Sequence, residues 1–118
     1  MTATLKPVKV SSSIDLEDIV ANSIESGSTS YFLITNSWDK VSLHFNKLLD
    51  GLAAKGGQDP VYIVDIFDVH NPLGVMKSVL RDESQRQRYT QLPMLVKLQG
   101  SQPIIIRYTG LIAHELGI

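Results

Sequence analysis

Two short, continuous apolar segments restrict most strongly how this chain can fold. Tyr31–Thr35 (YFLIT) and Val61–Phe67 (VYIVDIF) are rich in β-branched and aromatic residues. They lack the apolar–polar alternation of a strand with one solvated face, so each is predicted to be a strand covered on both faces. A sheet of such strands needs a layer of helices on either side.

Segments with helical spacing of apolar residues flank these strands. The first follows Ser11–Ser13, where Ser12 or Ser13 is available as the N-cap. Its apolar stripe at i, i+3, i+4 and i+8 consists of Leu16, Ile19, Val20 and Ile24. A longer helix follows the polar turn 36–39 and is predicted to end at Gly56-Gly57. Its predicted core face consists of Val41, Phe45, Leu48, Leu49 and Leu52.

The remaining elements are shorter. Leu5–Val10 is apolar-leaning but contains Pro7, which cannot donate a ladder hydrogen bond, so an edge strand is predicted. Leu73–Leu80 is predicted to be helical, although Gly74 disfavours a helix interior. The segment 81–91 is polar and charged, as in a connector.

The last third of the chain predicts a hairpin and a terminal helix. Met94–Leu98 and Pro103–Tyr108 are β-like runs joined by a short polar loop, and Thr109–Leu116 is a candidate helix. The complete order is βαβαβαββα. Alternating strands and helices predict parallel crossovers, and the hairpin adds an antiparallel edge. The fold class is therefore α/β with a central mixed sheet flanked by helices, in a single domain over residues 1–118.

Composition excludes several classes of function. Eleven Lys and Arg balance twelve Asp and Glu, so a polyanion such as DNA or RNA is not expected as the main partner. The chain has no cysteine, which excludes disulfides, thiolate catalysis and Cys-ligated metal sites. No apolar run is long enough to cross a membrane, and the first ten residues lack the apolar core of a signal peptide. We therefore expect a cytoplasmic protein.

Three strings, in order, resemble the thioredoxin family over nearly the whole chain, from about Leu5 to Leu116. YFLITNSWDKVSLHFNKLLDGLAAK resembles its strand, W-C-x-x-C motif and helix. VYIVDIFDVHNP resembles its central strand and the turn that follows. QLPMLVKLQGSQPIIIRYTG resembles its proline-led hairpin and subsequent glycine. The resemblance implies a thioredoxin-like fold and a cis peptide bond before Pro93.

The departures from the family pattern determine the functional prediction. If Trp38 occupies the position of the family's tryptophan, Asp39 and Ser42 stand where the two cysteines belong. Leu33 replaces the buried acid, and Asp65 replaces a lysine often found on the central strand. Neither Asp39 nor Ser42 can form a mixed disulfide, so thiol–disulfide exchange is excluded.

Asp39 and Ser42 have a structural interpretation. Asp39 can accept a hydrogen bond from the N–H near Ser42 as the N-cap of the long helix, and the Ser42 hydroxyl can reach back to Asp39. In this way, a carboxylate takes the place that the helix N-terminus offers to a thiolate in redox members. We favour this capping role over catalysis.

The resemblance implies a binding groove formed by the Trp38 turn, Leu92-Pro93 and Gly110. The predicted function is a redox-inactive interaction module, or a structural or regulatory subunit, that binds a protein or extended peptide through these residues with Asp39 and Ser42. Two alternatives stay open: Trp38 is a half-buried packing residue, or the groove serves a non-redox enzyme or a glutathione-binding protein. No cofactor is predicted.

Other chemistry-bearing residues are weaker candidates. Asp68 and His70 form a two-residue pair, one ligand short of a zinc site. A catalytic pairing of His44 with Asp39 or Ser42 lacks a third, orienting member. Surface positions are predicted for His114 and Glu115.

Two surface segments could serve other partners. A nucleic-acid contact through Arg86, Arg88 and Tyr89 competes with a simpler interpretation as a solvated connector. The edge near Lys6–Val10 allows weak strand-mediated dimerisation, but Pro7 and two lysines are typical edge protection, so a monomer or weak homodimer is expected.

Overall fold

The computed structural model describes residues 5–53, 59–80 and 92–116. The described strands are β1 (Leu5–Val10), β2 (Thr29–Thr35), β3 (Asp59–Asp65), β4 (Met94–Gln99) and β5 (Gln102–Ile106). The described helices are α1 (Ser13–Ser26), α2 (Lys40–Ala53), α3 (Pro72–Val75), α4 (Lys77–Leu80) and α5 (Thr109–Leu116). The predicted terminal helix has the predicted bounds.

The strands form one mixed sheet in the order β1-β3-β2-β4-β5. β3 pairs in parallel with both β1 and β2, whereas β4 runs antiparallel to β2 and to β5. The two apolar runs therefore supply central strands, and the Pro7-containing strand lies at an edge, as predicted. The α/β fold class with a central mixed sheet is confirmed.

Alternation along β2 divides the core into two layers. Phe32 and Ile34 face one side, where they pack with Leu16 and Val20 of α1. Leu33 belongs to the core cluster that contains Phe45 and Leu49 of α2. The side chains at 32, 33 and 34 are all fully buried, as expected for a strand covered on both faces.

The ends of α1 follow from local chemistry. The Ser12 hydroxyl accepts a hydrogen bond from Asp15 N at 3.2 Å, so Ser12 rather than Ser13 is the N-cap. Gly27 ends the helix in the left-handed region, with φ of 69°, where a side chain would be strained. The serine- and glycine-rich segment 26–30 thus follows directly on the end of this helix.

The predicted core face of α2 is only partly correct. Phe45 and Leu49 are buried, but Val41 and Leu48 are 41% and 39% exposed, and Ser42 is fully buried. Positions 42, 45 and 49 of the helix therefore face inward, and the buried Ser42 hydroxyl is hydrogen-bonded to Asn36 N and to the Asp39 carboxylate. The predicted stop at Gly56-Gly57 lies outside the described residues.

Three other predicted elements differ from the structure. The second strand of the hairpin is β5, which ends at Ile106, two residues before the predicted end at Tyr108. β3 begins at Asp59 and ends at Asp65, two residues before the predicted end at Phe67. The predicted helix over Leu73–Leu80 is divided into α3 and α4 on either side of Met76. Gly74 lies in α3, close to the Asn71 side chain. A Cβ atom at position 74 would lie 2.4 Å from the Asn71 amide nitrogen, so this close approach favours glycine.

A polar cluster attaches the terminal helix to the sheet. Lys97 on β4 forms an ion pair with Glu115 on α5, and the Tyr31 hydroxyl donates to the same carboxylate at 3.4 Å. The hydrogen bond from Lys97 holds the pKa of Glu115 below its usual value, and the same bond raises the pKa of Lys97. Glu115 is therefore a half-buried anchor rather than the free surface position predicted.

This ion pair predicts acid sensitivity. Because the folded-state pKa of Glu115 is lowered, its contribution to stability is present above the ordinary value of 4.5 and is lost as the pH falls through the folded-state pKa. Glu115→Gln should lower the free energy of unfolding at neutral pH by about 0.5–1 kcal/mol and flatten its acid dependence. Urea denaturation at a series of pH values measures both effects. The exposed Glu25→Gln is the control; an unchanged acid slope in Glu115→Gln would contradict the assignment.

Candidate functional site

The strand topology brings four chain segments to one end of the sheet. β2 and β3 finish there, β4 begins there, and β5 finishes there, because Ile34 pairs with Met94 and Leu95 pairs with Ile106. The Trp38 turn, the loop 66–71, Leu92-Pro93 and residues 107–110 leave or enter the sheet at this end. We call this the upper end of the sheet.

The turn before α2 is tied down by backbone and side-chain hydrogen bonds. Asp39 N donates to Asn36 O at 2.9 Å, and Trp38 N donates to Asn36 Oδ1 at 3.0 Å. Asn36 N donates to the buried Ser42 hydroxyl at 3.2 Å. The backbone around Trp38 is thereby satisfied locally, and the indole side chain points outward, 81% exposed.

Asp39 performs the predicted capping role. Its carboxylate accepts from Ser42 N at 3.2 Å, and the Ser42 hydroxyl donates to the same oxygen at 3.4 Å. Asp39 O also accepts from Leu43 N at 3.0 Å, as an N-cap carbonyl does. The two residues at the cysteine positions thus interact with each other and stabilise the start of α2.

Phe67 is an exposed residue that the sequence interpretation missed. It was assigned to the buried central strand, but its side chain is 60% exposed and lies beside Trp38, with ring centroids 5.9 Å apart and planes tilted by 32°. The polar Asp65 within an otherwise apolar run is the sequence signal for this turn, because an Asp side chain can cap the N–H two residues ahead.

Asp65 holds this loop in place. It is 6% exposed, and its carboxylate accepts from Phe67 N at 2.9 Å and from the Thr35 hydroxyl at 3.5 Å. Its carbonyl oxygen also accepts from Asp68 N and Val69 N. Asp65 therefore orients the part of the chain that carries Phe67.

The other predicted groove residues share the upper end through the strand topology. Pro93 is buried behind a cis peptide bond from Leu92, and Leu92 is half-buried against the first core cluster. Gly110 is exposed at the start of α5, with open space where a Cβ would lie. Near it, Tyr108 and Leu111 are 73% and 55% exposed.

The remaining candidates do not form a chemical site within the described part of the chain. Asp68 and His70 are both exposed, and no group of three His, Asp or Glu side chains is placed to hold a metal ion there. His44 is exposed on α2, and its ring lies 6.3 Å from that of Phe45. Arg86, Arg88 and Tyr89 lie outside the described residues. None of the described helices is long and apolar enough to cross a membrane.

Comparison with known proteins identifies the architecture. Thioredoxin O1 from Arabidopsis thaliana has a TM-score of 0.63 and 17% identity, covering 94% of this chain and 97% of its own. A thioredoxin from Nicotiana alata has a TM-score of 0.63 and 10% identity, covering 98% and 92%. A Schistosoma mansoni thioredoxin pre-protein has a TM-score of 0.60 and 9% identity, covering 95% and 96%. This chain adopts the thioredoxin fold.

The likeness is one of shape, since no family model and no curated protein matches the sequence. Within the thioredoxin fold, this chain is a cysteine-less member. Leu33, at the position of the buried acid, is fully buried among apolar side chains. The chain itself therefore contains no thiol for disulfide exchange.

Removing the cap tests the structural role of the altered motif. Asp39→Ala should lower the free energy of unfolding by about 0.5–2 kcal/mol, because the first turn of α2 loses its acceptor. Asp39→Asn should retain most of the stability, since an amide oxygen also accepts. Urea denaturation measures the difference, with the exposed Asp50→Ala of the same helix as control. Equal stabilities of Asp39→Ala and the control would refute the capping role.

The anchoring of Phe67 gives a second test. Asp65→Ala removes the acceptor for Phe67 N and is expected to separate the Trp38 and Phe67 rings, with a stability loss of about 1–3 kcal/mol. Ring-to-ring nuclear Overhauser effects and Trp38 fluorescence report the separation. Asp68→Ala, an exposed acid in the same loop, is the matched control. Undiminished ring contacts in Asp65→Ala would show that the loop is held by other means.

Proposed function

We propose that this protein is a redox-inactive interaction module that binds a protein or extended peptide through the upper end of the sheet. The binding surface consists of the Trp38 turn with Asp39, the Leu92-Pro93 segment and Gly110. Ser42 and Pro93 are buried, so in contrast to the prediction from the sequence they support this surface from beneath and do not contact the partner directly. The observation that carries the proposal is the 81% exposure of Trp38 on a turn whose Asn36, Trp38 and Asp39 backbone N–H groups are all hydrogen-bonded. In this function, the protein acts as a structural or regulatory subunit.

The exposed apolar residues of the upper end support this proposal. Trp38, Phe67, Tyr108 and Leu111 are each more than half exposed, and all four follow strand ends that meet there. Aromatic side chains dominate the energetics of protein interfaces because they bury a large area with few rotatable bonds. The exposed tryptophan also removes the alternative in which Trp38 is a packing residue.

The backbone that carries the exposed rings is held by hydrogen bonds within the protein itself. Asn36 and Asp65 fix the backbone next to Trp38 and Phe67, respectively. Tyr108 is held at the start of α5, where its carbonyl accepts from Ile112 N at 2.9 Å. A preorganised surface loses little conformational entropy on binding, so more of the contact energy appears as affinity.

The groups at the cysteine positions support binding rather than turnover. The Asp39 carboxylate and the Ser42 hydroxyl are engaged with each other and with backbone N–H groups of the α2 start. The Ser42 hydroxyl is also fully buried beneath the turn, so it is not presented to a substrate as a nucleophile. We also propose a cytoplasmic location, because the composition lacks the cysteines typical of small exported domains.

Affinity capture with matched variants tests the function. The tagged protein should recover a defined partner from its host. Trp38→Ala and Leu92→Asp should each weaken the purified complex at least tenfold, as expected for a central contact worth about 2 kcal/mol. Leu48→Ala, a partly exposed apolar residue on the outer face of α2, is the control. Because Leu92 touches the core, circular dichroism must first show that Leu92→Asp is folded.

Two results would count against the proposal. A partner bound equally well by both variants and the wild type would place the contact elsewhere. Turnover of an electrophile with glutathione above background, lost in Trp38→Ala, would instead favour an enzyme that uses the same groove. Calorimetry with glutathione alone distinguishes simple binding of this tripeptide from binding of a protein partner and from enzymatic turnover.

A further inference from the structure

A cavity at the opposite end of the sheet is separate from the proposed binding surface. It has a volume of about 350 Å³ and opens between the C-terminal half of α1 and the starts of β2 and β3. This volume lies at the lower end of the range of about 300–1,000 Å³ that is usual for small-molecule sites.

The polar groups in the cavity wall are hydroxyls and an amide. Asn22 and Ser23 come from α1, Thr29 and Ser30 from β2, and Tyr62 from β3. The described lining contains no Asp, Glu, Lys, Arg or His. Such a wall offers both donors and acceptors but no countercharge, so it favours a polar, uncharged ligand over an ion.

Two of these hydroxyls are buried and only partly satisfied. Ser23 and Ser30 are 5% and 4% exposed, and their oxygen atoms lie 2.8 Å apart. One hydrogen bond between two hydroxyls uses one of their two protons. Within the described chain, the second proton has no protein acceptor. A ligand oxygen would satisfy it, and satisfying a buried polar group is favourable because leaving it unpaired is costly.

Apolar side chains also line the cavity. The Tyr62 ring is fixed by stacking on Phe32, with centroids 5.3 Å apart and planes inclined by 25°. Ile19 and Pro60 extend the apolar surface beside it. A compound that has C–H groups on one side and hydroxyl groups at its rim can contact the apolar side chains and hydrogen-bond to the serine hydroxyls. A hydrocarbon would leave the buried hydroxyl unpaired.

We propose that this cavity binds a small, uncharged polyhydroxyl compound of monosaccharide or polyol type. The Ser23–Ser30 pair and the Thr29 hydroxyl bind its hydroxyl groups, and Tyr62 contacts its C–H face. The site is independent of the partner-binding surface, because it lies at the other end of the strands.

Two-dimensional amide NMR titrations with glucose and with myo-inositol test the proposal. Saturable shifts are expected for residues around Asn22–Ser30 and Tyr62. The double variant Ser23→Ala/Ser30→Ala should weaken binding about tenfold, and it removes both hydroxyls together, so it leaves no new unpaired group. Thr29→Val, at an exposed position, gives a second variant that does not alter the core. Ser37→Ala, at the upper end, is the control and should bind as the wild type does.

Comparison ligands define the chemistry. Glucose 6-phosphate should bind more weakly than glucose, because no cation neutralises its phosphate, and cyclohexanol should bind more weakly than myo-inositol. Shifts that rise without saturation for both sugars, or equal affinities of wild type and both hydroxyl variants, would overturn the proposal. Loss of partner binding in Trp38→Ala with sugar binding unchanged would show that the two sites are independent.

Discussion

The double burial of β2 is the constraint on which the rest of the structure depends. This strand is hydrogen-bonded in parallel to β3 and antiparallel to β4, and its three consecutive side chains from Phe32 to Ile34 are fully buried in alternating layers. A shift of one residue would exchange the two layers, so the register is strongly determined. Because β3 and β4 pair with β2, its register also determines where β3 ends and where β4 begins. The positions of the Trp38 turn, the Phe67 loop and Pro93 follow from this strand rather than from contacts among themselves.

In this chain, Asp39 and Ser42 stabilise the start of α2, and no thiol is present there. In a redox protein, the start of the corresponding helix stabilises a thiolate, which requires open N–H groups near a reactive sulfur. Here, the Asp39 carboxylate accepts from Ser42 N in the first turn of α2, and the Ser42 hydroxyl donates to this carboxylate and accepts from Asn36 N. Leu33 is fully buried among apolar side chains, so its position carries no desolvation cost of a buried charge.

Much of this architecture could be predicted from the sequence, because buried positions place apolar residues at the spacing typical of a strand or a helix. Continuous apolar runs predicted the central strands, and Pro7 predicted an edge. The interaction of Asp39 with Ser42 was also predictable, since it depends on neighbours in the chain. The predictions failed where short-range hydrogen bonds of polar side chains accompany a departure from hydrophobic periodicity. Ser42 lies on the buried face of α2, and Phe67 lies beyond the end of β3, where its N–H donates to Asp65. The spacing of apolar residues carries no signal for such polar contacts.

The support of Trp38 and Phe67 by other residues has a consequence for how the surface can change. Their backbones are anchored by Asn36, Ser42 and Asp65, whereas their own rings project into solvent. Replacement of either ring therefore changes the exposed chemistry of this surface while leaving the folding energy nearly untouched, since exposed side chains away from caps and cores have small effects on stability. The two rings and the scaffold can thus vary separately, because a substitution at Trp38 or Phe67 needs no compensating change in the residues beneath it.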